Sequence, residues 1–246
     1  MTIPADSALW AHGRLSPYSA TRFNVEEAIV PSDARVEVFA DGIAVWSRAG
    51  SNFVRSHTEA RDFLGLIVAA YTVRTGIALD FSFTGWVEAT EATFKGTIIG
   101  FTVPRGHRHA DPASKRSRDM RVAIEVAGAA FAEGSWRLSL RDVHAAYLSG
   151  NDDSFVFAYR AIEDLARAVS QTGKKSWPDL NAHLGLTKQQ LKARTRGLFD
   201  ARNAVAHGDI DSPVLVAARA NQTRTISVAR KLVRQAFANE PTLPAI

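Results

Sequence analysis

The chain of 246 residues contains no cysteine, and this absence excludes several kinds of chemistry. Disulfides, thiolate nucleophiles, zinc fingers and iron–sulfur clusters all need cysteine. The first residues also lack the basic start and apolar run of a secretory signal, which predicts a cytoplasmic protein. The longest apolar run, residues 63–73, is too short to cross a bilayer, so it predicts a core helix and no membrane partner.

The charge of the chain is unevenly distributed along the sequence. Residues 1–150 hold 16 Lys or Arg against 16 Asp or Glu, whereas residues 151–246 hold 14 against 9. The whole net charge of +5 therefore lies in the C-terminal part. A positive field suits a polyanionic partner such as nucleic acid. Basic side chains also keep helices soluble, so charge supports a nucleic-acid function only together with a motif.

Residues 1–104 have the pattern of a small α+β domain with an antiparallel sheet and one main helix. Asp41-Gly42 is a strong hairpin signal, and Ser56 or Thr58 is suited to cap the helix that follows. The predicted strands and the helix cover residues 35–39, 43–46, 77–89 and 95–103, and residues 58–74. No residue pattern in this part indicates a chemical role.

Residues 105–119 predict a basic linker or loop, because they combine proline, histidine and basic residues without periodicity. His107, His109 and Asp111 are possible metal ligands, but no further ligand follows at a suitable spacing. We therefore expect no metal site there. Arg116 and Arg118 are instead candidate RNA contacts.

From residue 120 onward the pattern is helical throughout, which predicts an all-α domain over residues 120–246. Pro178 is expected to exclude helix at Trp177, in the connection between two helices. Leu191, Leu198 and Val205 recur every seven residues and predict one buried face on the helix that carries them. The predicted helices cover residues 120–132, 138–149, 154–171, 188–206 and 212–239.

The most informative stretch is ARNAVAHG, residues 201–208, near the end of one predicted helix. Gly208 is suited to the left-handed residue that ends a helix, so His207 falls in the last turn, where the dipole favours a charged imidazolium. Arg202 and His207 are five residues apart, which places them about 140° apart around the helix and about 7.5 Å apart along it. One copy does not aim both side chains at one atom, whereas two copies related by a two-fold axis can.

These residues resemble the R-polar-x-x-x-H signature of HEPN domains, helical modules of prokaryotic toxins, antiphage defence proteins and some RNases. FAYRAIE, residues 157–163, is similar to the first long HEPN helix, so the resemblance covers about residues 150–240. It implies a homodimer that cleaves RNA without metal or cofactor and leaves a 2′,3′-cyclic phosphate. The resemblance makes Arg202 and His207 the catalytic pair and Asn203 the residue that orients them.

The same resemblance suggests a supporting set on the upstream helix, namely Tyr159, Arg160 and Glu163. Arg194 and Arg196, on the helix that carries the motif, are further candidate RNA contacts. In one HEPN subgroup a tyrosine stands two residues after the histidine and is modified by a partner nucleotidyltransferase. Asp209 occupies that position here, which argues against such a partner.

A second pair, Arg137 and His144, satisfies only the loosest form of the signature. Its polar neighbour is missing, because Leu138 follows the arginine. We therefore interpret this pair as a coincidence of spacing.

Two alternatives to an endoribonuclease of defence or toxin type remain open at the level of sequence. One is a non-catalytic HEPN adaptor, in which the helical part dimerises and the N-terminal part binds a regulatory partner or ligand. The other is a regulator that binds nucleic acid without cutting it, through Arg116, Arg118 and Arg121.

Overall fold

Six strands form one antiparallel sheet in a computed structural model, which describes residues 7–16, 23–30, 34–40, 42–48, 53–90, 93–98, 113–170, 172–244 and 246. In chain order the strands are β1 (Ser7–Ser16), β2 (Phe23–Val30), β3 (Ala34–Ala40), β4 (Gly42–Arg48), β5 (Asp80–Thr90) and β6 (Thr93–Ile98). Their order in the sheet is β2-β3-β4-β1-β5-β6. Every consecutive side chain from Ile43 to Ser47 is buried, so both faces of β4 are covered.

The four predicted strands correspond to β3, β4, β5 and β6. The predicted hairpin is confirmed, because β3 and β4 pair antiparallel with Phe39 opposite Gly42. The end of the last predicted strand, residues 99–103, lies outside the described residues.

The central strand β1 was not predicted, because its inward positions include residues with little or no side chain. Leu9, Ala11 and Leu15 are buried on alternate positions, but Gly13 interrupts their apolar pattern. The glycine is required by packing, since a Cβ at residue 13 would lie 2.0 Å from the ring of Phe81. Edge strand β2 was also not predicted.

Eight helices are present in the described part of the chain. They are α1 (His57–Thr75), α2 (Ala113–Glu133), α3 (Arg137–Leu148), α4 (Asp153–Ala168), α5 (Trp177–Leu184), α6 (Lys188–Ala206), α7 (Pro213–Ala220) and α8 (Gln222–Asn239). The antiparallel sheet with helices and the helical second half agree with the predicted fold class. None of the helices that the structure describes is long and apolar enough to cross a membrane.

Helix α1 is the predicted core helix. Ser56 caps it by accepting a hydrogen bond from the backbone of Glu59 at 3.2 Å, in agreement with one of the two predicted caps. Every residue from Leu66 to Val73 is buried, as expected for a helix that is apolar on all sides.

Three predicted boundaries in the second half are wrong, each for a local reason. Residues 113–119 form the start of α2, although a linker was expected to extend to residue 119. A high content of basic residues is compatible with a helix. The remaining residues of the predicted linker, 105–112, lie outside the described residues. Trp177 begins α5, since Pro178 in a first turn loses no hydrogen bond and Ser176 caps the helix. Asn221 separates α7 from α8, where one continuous helix was expected.

By its contacts the chain divides into two units. The first consists of residues 1–68 and 79–132, and the second of Ala69–Ala78 and Glu133–Ile246. Helix α2 belongs to the first unit, although the all-α domain was predicted to start at residue 120. The candidate catalytic residues all belong to the second.

Within the second unit, α4 packs against α3, α5, α6 and α8. Its apolar stripe, formed by Phe155, Ala158, Ile162, Leu165 and Ala166, is buried. The stripe therefore anchors α4 in the core and leaves its other face to carry polar and aromatic residues next to α6.

His144 makes the stability of the second unit dependent on pH. Its Nδ1 lies 2.8 Å from Oγ1 of Thr72, and burial lowers its pKa from 6.5 to about 4. The unfolded chain therefore binds a proton at this histidine at a higher pH than the folded chain. The stabilisation is complete above pH 6.5 and is lost as the pH falls towards 4.

As the pH falls from neutral to the pKa that His144 has in the folded chain, the free energy of unfolding decreases. We expect this decrease to be larger in the wild-type chain than in His144→Gln, by up to about 3 kcal/mol. Glutamine does not titrate but retains a polar partner for Thr72. Urea unfolding of both proteins across this pH range measures the difference. Equal losses in the two proteins would contradict this assignment.

Candidate active site

Helix α6 has well-defined ends, which fix the position of the ARNAVAHG stretch. At its start Thr187 and Gln190 form a reciprocal capping box. At its end the backbone N–H groups of Gly208 and Asp209 donate to the carbonyls of Val205 and Ala204, at 3.1 and 2.9 Å. This is the Schellman arrangement, and Gly208 has the left-handed φ of 69° that the sequence predicts.

One face of α6 is buried and the other carries polar residues. Leu191, Leu198, Ala201 and Ala204 are buried, whereas Val205 is half-buried. The predicted seven-residue repeat is therefore confirmed for the two leucines, and its last member lies at the margin. The helix packs against α4, α7 and α8.

Arg202 is held in place by two neighbours. Its Nη1 donates to Oδ1 of Asn203 at 3.0 Å, and its guanidinium carbon lies 5.6 Å from the centre of the Tyr159 ring. Both Arg202 and Asn203 are half-buried. The asparagine and the tyrosine therefore restrict the orientation of the arginine and leave its remaining N–H groups for an anion.

His207 is the C-cap residue of α6 and is exposed. Its backbone N–H donates to the carbonyl of Asn203 at 3.0 Å, but no hydrogen bond or ion pair of its ring occurs among the described residues. Arg202 and His207 therefore lie at the end of one helix, with no hydrogen bond between their side chains among the described residues.

Tyr159 is the only one of the three supporting residues that contacts the predicted catalytic residues within the described part of the chain. Burial, together with the carboxylate of Glu163, raises the pKa of Tyr159, so its phenol stays protonated at neutral pH. Glu163 itself binds Lys175, with Oε1 2.6 Å from Nζ.

Arg160 binds an acidic residue and makes no hydrogen bond with the predicted catalytic pair among the described residues. Its guanidinium forms two hydrogen bonds with the carboxylate of Asp142 on α3, and its charge lies 5.0 Å from the Phe157 ring. Asp142 is buried, so this pair ties α4 to α3.

The candidate RNA contacts fall into two groups. Arg194 and Arg196 are exposed on α6. Nη1 of Arg194 lies 3.5 Å from Oε1 of Gln235, and Nε of Arg196 lies 3.6 Å from Oδ2 of Asp200. Arg116 and Arg118 lie on α2 in the first unit. Only the first group shares an element with Arg202 and His207.

An aromatic groove next to Arg202 was not predicted from the sequence. Tyr159, Trp177 and Phe199 come from three different helices, and the ring centres of Tyr159 and Phe199 are 5.5 Å apart. The sequence does indicate the cationic part of the groove, because the spacing of Lys188, Lys192 and Arg196 puts three cations on one face of α6. The aromatic part had no local signal, because α5 itself was not predicted.

The described residues contain no group of three or more potential metal ligands from His, Asp and Glu. His107, His109 and Asp111 lie outside the described residues. In the second Arg–His pair, His144 is engaged with Thr72, as expected for a residue with a structural role.

Comparison of the chain with models of protein families, with curated proteins and with solved structures gave no match.

Proposed function

We propose that the protein is a metal-independent endoribonuclease of HEPN type that acts as a dimer. The observation that carries the proposal is the arrangement at the end of α6. Arg202 is oriented there by Asn203 and Tyr159, and His207 is presented to solvent at the C-cap. In the cleavage of a phosphodiester by its neighbouring hydroxyl, an accessible imidazole can move protons and an oriented cation can stabilise the charge of the transition state.

In the proposed reaction the 2′-hydroxyl oxygen of one nucleotide forms a bond to the adjacent phosphorus. The bond between phosphorus and the 5′-oxygen of the next nucleotide breaks. The neutral imidazole of His207 takes the proton of the attacking hydroxyl, the departing oxygen takes a proton from water, and the imidazolium returns its proton to the hydroxide that forms. Arg202 binds the non-bridging oxygens and stabilises the charge of the transition state. The products are a 2′,3′-cyclic phosphate and a 5′-hydroxyl.

An exposed apolar group close to His207 supports the dimer. Ile210, Val214 and Val216 are 59%, 43% and 53% exposed, and they follow the histidine in the turn and in α7. A second copy that covers these side chains gains apolar burial beside the catalytic end of α6. The positive charge of residues 151–246 also favours an RNA substrate.

The direct test is cleavage of RNA by the purified full-length chain in the presence of EDTA, followed by analysis of the product ends. We expect cleavage to persist without divalent metal and to leave 2′,3′-cyclic phosphate and 5′-hydroxyl ends. Cleavage that stops on chelation, or that leaves a 3′-hydroxyl, would overturn the mechanism. Expression in a bacterial host tests the proposed role as a toxin or defence protein, since an active nuclease inhibits growth.

One observation favours a second candidate, a dimeric adaptor without catalysis. Arg202 already has two neighbours, and such contacts are also compatible with a structural role at the end of a helix. The adaptor predicts that a chain with both Arg202→Ala and His207→Ala retains every binding property of the wild type. It also predicts that neither chain cuts RNA.

A further inference from the structure

A groove of about 780 Å³ runs between α4, α5 and α6. Tyr159, Trp177 and Phe199 form its aromatic part, and the centre of the Tyr159 ring lies 6.4 Å from that of Trp177 and 5.5 Å from that of Phe199. Phe199 is 41% exposed. The groove therefore presents ring surface to solvent.

Cations line the same groove. Lys188, Lys192 and Arg196 lie along one face of α6. Outside the lining, the ammonium of Lys175 is paired with Glu163 and lies 5.7 Å from the centre of the Trp177 ring. The acidic residue in the lining is Asp200, which is 3.6 Å from Arg196. The groove thus combines an aromatic floor with a rim of positive charge.

This combination matches the chemistry of single-stranded nucleic acid. Bases that are not paired expose flat aromatic faces, which stack on aromatic side chains, while lysine and arginine hold the backbone phosphates. A paired duplex cannot use such a groove, because its bases are stacked on each other. The size of the groove lies within the range of sites for small organic groups.

The groove is connected to the proposed catalytic residues through Tyr159. The same ring lines the groove and contacts the guanidinium of Arg202. A nucleotide whose base lies in the groove therefore has its backbone close to the arginine that is proposed to bind the reacting phosphate.

We propose that this groove binds an unpaired base of single-stranded RNA, stacked on Phe199 and Trp177, with adjacent phosphates held by Lys188 and Lys192. The inference rests on the proposed function, which it deepens by naming the substrate as single-stranded. A second copy of the chain is the other occupant that an exposed phenylalanine suggests. The charged rim favours RNA, since a second copy would bring the same positive charges to this surface.

The test compares Phe199→Ala with the wild-type chain in binding a short, labelled, 2′-O-methylated RNA strand. This probe lacks the attacking hydroxyl, so it remains intact and reports binding alone. We expect Phe199→Ala to bind the single strand on the order of tenfold more weakly, as for the loss of one stacked base. Its affinity for a duplex of the same length is expected to stay unchanged.

Leu138→Ala is the matched control, because Leu138 is also an exposed apolar residue of the second unit, on α3 and outside the lining of the groove. We expect this variant to bind the probe like the wild type. Thermal unfolding of both variants shows whether each is folded. If Phe199→Ala unfolds, Phe199→Leu keeps the apolar contact without an aromatic face and is expected to show the same selective loss.

Two results would overturn the inference. One is equal affinity of the folded Phe199 variant and the wild type for the single strand. The other is dissociation of oligomers by the Phe199 variant without a change in RNA affinity, which would identify the groove as an interface between copies. The probe cannot be cut, so its binding does not depend on cleavage activity. If the groove binds the probe but the chain cuts no RNA, the proposed function fails and this inference stands.

The rim lysines give a second measurement on the same probe. Phosphate contacts weaken with salt, and each one contributes a slope of about 0.7 in a plot of log affinity against log salt for a single strand. The chain with both Lys188→Ala and Lys192→Ala is expected to show a smaller slope by about 1.4. An unchanged slope would contradict the proposed role of these lysines.

Discussion

Replacement of His207 by alanine is expected to lower the rate of RNA cleavage by about 10²- to 10⁴-fold, the usual contribution of a group that moves protons in the transition state. The imidazole is exposed and takes part in no hydrogen bond or ion pair within the described residues. The free energy of unfolding is therefore expected to change by less than about 0.5 kcal/mol. Cleavage of a labelled RNA and urea unfolding measure the two quantities.

Asp209→Ala is a suitable control for this variant. Asp209 is exposed in the same turn, and its contribution to the end of α6 is a backbone N–H, which alanine retains. We expect its cleavage rate to remain close to that of the wild type. A His207→Ala chain that cuts RNA at the wild-type rate would remove the histidine from the mechanism.

Replacement of Arg202 by alanine is expected to lower the cleavage rate by about 10²- to 10³-fold, as for the loss of a group that stabilises the charge of a transition state. Arg202→Lys is expected to recover only part of this loss, because an ammonium lacks the planar fork that binds two phosphate oxygens. It also cannot reproduce the stacking of the guanidinium over Tyr159.

Arg224→Ala controls for the loss of positive charge, since Arg224 is an exposed arginine on α8. This variant is expected to cut RNA at nearly the wild-type rate. If Arg202→Ala and Arg224→Ala show the same small decrease in cleavage rate, Arg202 contributes only to the overall positive charge of the protein.

Much of the helical half was predictable, because its signals are local. The bounds of α6 agree with prediction, since a capping residue starts this helix and Gly208 ends it with a left-handed φ. The position of His207 at the helix end follows directly from that glycine. The buried face of α4 was predictable from apolar periodicity.

The remaining features depend on contacts that the sequence does not display. Strand β1 was missed because Gly13 is needed to admit the ring of Phe81, which breaks the apolar alternation. Helix α5 does not follow from the sequence, because Pro178 predicts no helix at Trp177, whereas a proline in the first turn is compatible with one. Without α5 there is no Trp177 beside Tyr159, so the aromatic groove could not be anticipated.

The contact between Arg202 and Tyr159 is of the same kind. The resemblance suggested both residues, but only the packing of α4 against α6 brings them together. The packing of α3 against α4 directs Arg160 to Asp142, and Glu163 binds Lys175. Periodicity alone does not distinguish these three neighbours on α4.

If one site draws Arg202 and His207 from two copies of the chain, mixing two impaired variants restores it. Arg202→Ala and His207→Ala chains are purified separately, unfolded and refolded together, so that mixed dimers form beside the parental ones. A mixed dimer retains one Arg202 and one His207 for a shared cleft, whereas each parental dimer lacks one of the two entirely. We expect the mixture to cleave RNA faster than either variant refolded alone, because only the mixed dimers hold an intact pair of Arg202 and His207. A mixture that contains mixed dimers and cuts RNA no faster than its parents would contradict the shared site.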